Sequence, residues 1–200
     1  MRKLVVLLCA LMIPLAACEN VREGQLAEAV QSRFSSASGW SAHFRIRLDC
    51  GDFVADYAVD DVFDATAGHT VTVTDPQSMA GMTVRMASES LYLEYCEAVF
   101  LPPTPPNAPD SPAAMLFASS EVWREWFADG AEPAELDGTA CVLCTFSGKL
   151  GGQPVMWRTW FAGESMTPLR SEVISGGVCT MILICDSFTF AEEAADTAAN

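Results

Sequence analysis

The sequence has 200 residues, half of them hydrophobic, and 26 Asp or Glu against 11 Lys or Arg give a formal net charge of −15 at pH 7. So acidic a chain is not expected to bind nucleic acid, because phosphate binding needs clustered Lys and Arg. The hydrophobic content excludes disorder as the general state. The length suits one domain with a sizeable core and is hardly enough for two.

The N-terminal segment has the features of a bacterial lipoprotein signal. Arg2 and Lys3 precede an apolar run from Leu4 to Ala17, and a positive start, an apolar stretch and small residues before the cut define a secretory signal. Because a cysteine follows Leu15-Ala16-Ala17, we predict cleavage between Ala17 and Cys18 and lipidation of Cys18. A transmembrane anchor is the alternative, but the run is shorter than the roughly 20 residues that a span needs.

Acyl chains on Cys18 would hold the protein on the membrane almost permanently, at about 0.8 kcal/mol per buried CH₂. We therefore predict a lipid-anchored protein on the extracytoplasmic face of the cell membrane. The predicted order is a signal peptide over 1–17, a lipidated tether over 18–24, one domain over 25–190 and a frayed acidic tail over 191–200. Loss of the two signal cations changes the net charge from −15 to −17, so the anchor, and not charge, must supply the membrane affinity.

Six cysteines remain in the predicted mature chain: Cys50, Cys96, Cys141, Cys144, Cys179 and Cys185. An even number on an exported protein is read first as disulfides, whose pairing the sequence does not decide. Buried thiols are the alternative, since free cysteine packs as a small hydrophobe. The Cys141-x-x-Cys144 spacing is that of a zinc or redox motif, but the run is apolar and has no histidine nearby, so neither chemistry is expected.

Strand geometry limits which of these cysteines can pair. At about 3.3 Å per residue, Cys141 and Cys144 are expected on opposite faces about 10 Å apart, and Cys179 and Cys185 on one face about 20 Å apart. A disulfide needs Cα atoms within about 7 Å. Neither pair is expected to bond, and any disulfide must link different strands.

The first predicted elements are a helix and a strand. Leu26, Val30 and Phe34 fall four residues apart within 19–39, which indicates a helix with one apolar stripe packed on the domain. From Trp40 to Cys50 apolar and polar residues alternate, a pattern typical of a half-buried strand in an antiparallel sheet.

A second strand follows the turn at Gly51-Asp52. Its apolar face is formed by Phe53, Ala55, Tyr57 and Val59. Acidic residues follow the other face and its end, namely Asp52, Asp56, Asp60, Asp61 and Asp64. So many aspartates could suggest a calcium site, but their spacing fits no EF-hand loop. We therefore interpret them as a solvated outer face.

The middle of the chain contains further strands and a second helix. Strands are predicted over 70–74, 82–86 and 91–96. The proline-rich run 101–109 predicts an extended loop, with a polyproline ligand as the alternative. Ser111-Pro112 is typical of a helix start. This helix, which Asp129-Gly130 ends, presents one apolar face made of Met115, Leu116, Val122, Trp123, Trp126 and Phe127.

The last third returns to strands. They are predicted over 140–146, 155–162, 169–175 and 178–190, with glycine pairs at 151–152 and 176–177 in hairpin turns. The total of about nine to eleven strands and two or three helices shows no βαβ alternation. It predicts an α+β fold with one large curved antiparallel sheet and helices covering one face.

Catalytic motifs do not appear in the sequence. His43 and His69 belong to no recognisable triad or metal motif, and there is no Gly-x-Ser-x-Gly elbow, phosphate loop or dinucleotide fingerprint. We therefore predict a protein that is not an enzyme and uses no cofactor or metal.

Several short motifs occur in a recognisable order. They are Asp75-Pro76-x4-Gly81-Met82, Leu91-Tyr92-Leu93-Glu94-Tyr95, Ser111-Pro112, Trp160-Phe161-x6-Pro168 with Glu172-Val173, and Asp186-Ser187-Phe188. This order resembles the outer-membrane lipoprotein carrier (LolA/LolB-like) superfamily. Within it, the chain most resembles the GerS-type germination lipoproteins of spore-forming bacteria.

The resemblance implies an unclosed barrel whose mouth is covered by helices, with an apolar cavity between them. In carriers such a cavity holds the acyl chains of a passenger lipoprotein, whereas the germination lipoprotein supports a cell-wall amidase. Both partners stay open for this chain, beside the membrane itself. The candidate cavity-lining residues are Trp40, Phe44, Ile46, Phe53, Tyr57, Trp123, Trp126 and Trp160. The alternative is that these side chains fill a solid core.

Overall fold

The computed structural model describes residues 24–49, 51–87, 90–95, 98–100, 112–150 and 152–191. These contain helix α1 over 24–36, helix α2 over Pro112–Glu125 and eleven strands. The first six strands are β1 Gly39–Asp49, β2 Val54–Asp64, β3 Gly68–Asp75, β4 Thr83–Ala87, β5 Ser90–Tyr95 and β6 Ala98–Phe100. The other five are β7 Gly130–Leu136, β8 Thr139–Leu150, β9 Gln153–Ala162, β10 Pro168–Ser175 and β11 Val178–Phe190.

All eleven strands form one antiparallel sheet in the order β6-β5-β4-β3-β2-β1-β11-β10-β9-β8-β7. The first and last strands of the chain pair in the middle, with Trp40 opposite Phe190 and Leu48 opposite Met181. The sheet stays unclosed, with β6 and β7 as its outer strands. The predicted fold class, one large antiparallel sheet with helices on one face, is confirmed.

Buried and exposed residues alternate along the strands, and the helices cover the face that carries the buried ones. In β1, every second residue from Trp40 to Leu48 is buried, and these side chains pack with Val30 and Phe34 of α1. Met115, Leu116 and Trp123 of α2 join the same core. We call this side the helix-covered face and the opposite side the outer face.

Two short outer strands are missing from the predicted set. The sequence of β7, Gly-Ala-Glu-Pro-Ala-Glu-Leu, has no clean alternation and carries Pro133 and two glutamates. Proline and charge are typical of an edge strand, where they discourage pairing with another chain. β6 has only three residues. Edge strands of this kind carry little of the period-two signal on which the prediction depends.

Helix α2 ends earlier than its apolar face suggests. The helix stops at Glu125, so Trp126 and Phe127 lie in the segment that leads to β7. Trp126 still packs against the core, whereas 82% of Phe127 is exposed. The prediction that Phe127 belongs to the packed face is wrong, because the helical period does not extend to it.

Two bulges in β11 change the facing of its side chains. The register passes from Val173↔Met181 to Ile174↔Cys179 and from His43↔Ser187 to Phe44↔Cys185, which leaves one extra residue at each shift. Such an extra residue reverses the alternation. Only the first of these shifts lies between Cys179 and Cys185. Cys179 therefore faces outward and Cys185 faces the core, and the prediction that they share a face is wrong.

Candidate binding site

An aromatic cluster fills the space between the helices and the sheet. Its centre is the ring of Phe34 on α1, which is fully buried. Centroids 5.2 to 6.0 Å away belong to Trp40, Trp123, Phe161, Phe188 and Phe190. Aromatic pairs at such distances contribute about 0.5–1.5 kcal/mol each beyond their buried area. One side chain of α1 thus joins both covering helices to three strands.

Hydroxyl groups accept hydrogen bonds from the indole N–H groups of two buried tryptophans. Trp123 Nε1 donates to Thr159 Oγ1 at 3.1 Å, and Thr159 Oγ1 lies 2.7 Å from Ser171 Oγ. Trp157 Nε1 donates to Ser119 Oγ on α2 at 3.3 Å. Buried tryptophan usually needs such a partner. These hydrogen bonds join α2 to β9, so they help to fix the position of the helix on the sheet.

A buried carboxylate lies at one side of the cluster. Asp61 is 0% exposed, and its Oδ2 accepts a hydrogen bond of 2.8 Å from Trp40 Nε1. Its Oδ1 lies 2.5 Å from Nε2 of His69, which is 3% exposed. The ring of Phe117 on α2 covers the imidazole at 4.6 Å. We call Trp40, Asp61 and His69 the buried Asp61 network.

This network corrects the predicted solvated face. Asp52, Asp56, Asp60 and Asp64 are exposed as expected, but Asp61 is not. Asp61 occupies the helix-covered side together with Val59 and Phe63, as period two requires. It is retained in the core because both of its oxygens have hydrogen-bond partners.

The candidate lining residues divide into three groups. Trp40, Phe44, Ile46 and Trp123 are buried in the core, and Tyr57 and Trp126 pack against it half-buried. Phe53 precedes β2 and is 53% exposed. Trp160 lies on the outer face, where it packs with Cys141 and Leu143. Phe53 and Trp160 therefore do not pack in the core with the other six.

Sequence reasoning missed other members of the cluster. Trp157 and Phe161 alternate with Trp160 on β9, so the side that contains them is the core side. The predicted apolar stripe of the first helix includes Phe34 but does not indicate that its ring is the centre of an aromatic cluster. The alternation in β9 is the signal that finds the first two.

Two grooves lie at the surface of the described part of the chain, and one of them borders the aromatic cluster. The rim groove, about 410 Å³, lies where β1 begins and β11 ends, and is lined by Ser38, Gly39, Trp40, Ser41, Val62, Phe63, Asp64, Ala65, Thr66, Thr189, Phe190 and Ala191. The second groove, about 460 Å³, is lined by residues of β1, β2, β3, β10 and β11, among them Arg45, Arg47, Ile182 and Ile184. The rings of the cluster pack against one another.

Ion pairs follow the outer face. Arg45 donates from Nε to Asp186 Oδ2 at 2.8 Å and from its terminal amino group to Oδ1 at 2.9 Å. This hydrogen bond lowers the pKa of Asp186 and raises that of Arg45. Because the pKa of Asp186 is depressed in the folded state, the pair stabilises above the usual Asp range, and that stability is lost as pH falls through the lowered pKa. Both side chains are well exposed, so the effect is small.

Four of the six cysteines lie within the described residues, and Cys50 and Cys96 lie outside them. The structure has free thiols at Cys141, Cys144, Cys179 and Cys185. At these positions it favours the alternative to disulfides, in which the cysteines stay unpaired. Cys141 packs on the outer face and Cys144 in the core. The prediction that these two do not bond each other is confirmed.

Burial raises the pKa of Cys144 to about 12. At pH 8 roughly one thiol in ten thousand is then ionised, and the thiolate is the reactive form. We expect iodoacetamide to label Cys144 of the native protein at least about tenfold more slowly than the half-buried Cys179. Peptide mapping over time measures this, and equal labelling rates would contradict the burial of Cys144.

Among the described residues, no group of three or more His, Cys, Asp or Glu side chains is placed to hold a metal ion. Neither described helix is long and apolar enough to cross a membrane.

Solved structures with a similar fold are known. A domain assigned to outer-membrane lipoprotein sorting, from Vibrio parahaemolyticus, matches with a TM-score of 0.51 and 9% identity over 90% of this chain and 94% of that chain. An uncharacterized conserved protein from Thermus thermophilus matches with a TM-score of 0.52 and 11% identity over 84% of this chain and 87% of that chain. The predicted resemblance to the lipoprotein-carrier superfamily is thus confirmed at the level of the fold.

A third similar structure is the Clostridioides difficile CwlD amidase in complex with the GerS lipoprotein. It matches with a TM-score of 0.44 and 11% identity over 84% of this chain and 95% of that chain. No protein-family model matches the sequence, and no curated protein matches it either.

Proposed function

We propose that this protein is a lipid-anchored, non-catalytic binding protein of the extracytoplasmic membrane face, which accepts acyl chains, free or on a lipoprotein, beneath its two covering helices. The observation that carries the proposal is the aromatic cluster on one face of an open sheet, covered by α1 and α2. The likeness to a lipoprotein-sorting domain supports it by analogy of fold.

Acyl chains would need the helices to move, since the cluster is packed as it stands. Trp126, which directly follows α2, packs at one defined position on the sheet. A Cβ atom added at Gly148 of β8 would come within 1.8 Å of the ring of Trp126. The indole ring thus rests where the strand carries no side chain, and its edge meets Trp157 at 5.4 Å between centroids.

Gly148→Ala provides the test, because it must displace Trp126 and loosen α2. We expect the variant to bind a fluorescent fatty acid several-fold more tightly, since less free energy is spent on opening the helices. Gly130→Ala on β7 is the matched control, because nothing lies within 4 Å of the added Cβ. If Gly148→Ala folds and neither it nor the wild type binds the fatty acid, the acyl-chain proposal is wrong.

The second candidate function is a protein-interaction module that supports a cell-wall hydrolase, as in the GerS-type lipoproteins. The observation that favours it is the filled cluster, in which the indole N–H groups of Trp40, Trp123 and Trp157 have partners. Such a core is typical of a rigid scaffold. Mass spectrometry of the purified protein distinguishes the two functions: co-purifying lipid supports the first, and a dry protein that binds a purified cell-wall amidase supports the second.

The anchor is tested separately. We expect Cys18→Ala to abolish lipidation and to move the protein out of the detergent phase in a partition experiment, because acyl chains supply the proposed membrane affinity. Cys9→Ala, within the predicted signal, is the matched control and should leave partition unchanged. A Cys18→Ala protein that enters the detergent phase as fully as the wild type would contradict the predicted lipidation site.

A further inference from the structure

Two arginines, one on each covering helix, stack on phenylalanines of the sheet. The guanidinium carbon of Arg33 on α1 lies 4.0 Å from the ring centroid of Phe190. That of Arg124, in the last turn of α2, lies 4.4 Å from the ring centroid of Phe63. A cation over an aromatic face is favourable but leaves the N–H donors of the guanidinium group available.

These two arginines differ from those of the outer face. Among the residues that the structure describes, Arg45, Arg47, Arg158 and Arg170 each pair with a carboxylate, whereas Arg33 and Arg124, and the exposed Arg85 of β4, do not. The Nε atom of Arg124 is buried and has no hydrogen-bond partner there. A buried donor without a partner is costly and rare in native proteins. In a chain of net charge −15, a scarcity of carboxylates does not explain it.

The two phenylalanines belong to one place in the fold. Phe63 and Phe190 both line the rim groove, and Trp40, stacked on Phe63 at 4.3 Å, lies between them. The groove has one carboxylate, Asp64, which accepts hydrogen bonds of 2.7 Å from the N–H groups of Thr66 and Ala67. That carboxylate is thus engaged by its own turn, and each of the two cations stacks on a ring that also lines the groove.

We propose that Arg33 and Arg124 form an anion-binding site for the carboxylate or phosphate headgroup of an acyl ligand, at the rim of the aromatic cluster. This inference rests on the proposed function, since the same ligand places its chains beneath the helices. Once α2 moves to admit the ligand, an anionic oxygen can reach the buried Nε of Arg124 and give it the partner that it lacks. Guanidinium groups bind carboxylate and phosphate with paired, charge-assisted hydrogen bonds.

Competition between ligands that differ only in charge tests the site. Native mass spectrometry of the full mature protein compares oleate with methyl oleate, and oleoyl lysophosphatidic acid with monoolein, each pair at equal concentration. We expect the anionic member to dominate by about tenfold, the effect of one charge-assisted hydrogen bond. The two pairs also show whether carboxylate or phosphate is preferred.

Arg124→Gln and Arg33→Gln should each reduce this preference to about twofold or less while the neutral ligands still bind. Arg85→Gln is the matched control, because Arg85 is exposed on β4 and has no carboxylate partner among the described residues. Equal binding of charged and neutral ligands, or an unchanged preference in both variants, would overturn the anion site and leave the proposed function standing. Binding of none of the four ligands would overturn both.

Discussion

Replacing Asp61 with alanine is expected to destabilise the domain by about 2–6 kcal/mol, because two buried polar groups each lose a hydrogen-bond partner at a cost of about 1–3 kcal/mol. The carboxylate is the acceptor that Trp40 and His69 share in the core. Its loss leaves the indole N–H and the imidazole of the network without that partner, beneath the ring of Phe117. Urea unfolding followed by tryptophan fluorescence measures the change.

The neighbouring residue supplies a matched control. Asp60 lies on the outer face and pairs with His43 at 2.7 Å, but the two side chains are 57% and 35% exposed. Exposed pairs of this kind contribute about 0–1 kcal/mol, so Asp60→Ala should shift the unfolding midpoint little and leave the slope unchanged. Equal losses in the two variants would show that Asp61 acts only through its strand propensity and not through the network.

The contrast between Asp60 and Asp61 shows how far the sequence could be interpreted. The alternation that identifies β1 and β2 also assigns a face to every residue of those strands, so the burial of Asp61 follows from the pattern of Val59 and Phe63. We expected a solvated aspartate because charged residues are almost never fully buried unless paired. The partner, His69, comes from the next strand, and nothing local in the sequence links the two.

Other differences have a different physical origin. The prediction places Trp160 on the apolar, cavity-facing side of its strand, but Trp157 and Phe161 of the same strand occupy the core side. The bulges of β11 reverse its alternation, and they arise from pairing with β1 and β10, which local composition does not encode. The strand order and the antiparallel pairing were predictable only through short connections and the superfamily resemblance. The contacts that centre on Phe34 required the three-dimensional structure.

Replacing Phe34 with alanine is expected to be the other severe change, with a loss of about 3–5 kcal/mol. The side chain is fully buried, and its ring contacts five others that belong to β1, β9, β11 and α2. Its removal leaves a cavity at the point where α1 joins both the sheet and α2, and rigid rings relax poorly into such a space.

Phe127→Ala is the control for this prediction, because the side chain is 82% exposed and its loss should stay within about 0.5 kcal/mol. Guanidinium unfolding at constant pH gives the stability of both variants, and protection of α1 amides from hydrogen exchange shows where the change lies. We expect α1 to lose protection first in Phe34→Ala, since the helix then holds the sheet chiefly through Leu26, Ala27 and Val30. A Phe34→Ala protein as stable as Phe127→Ala, with α1 still protected, would mean that the aromatic cluster does not hold the covering helix in place.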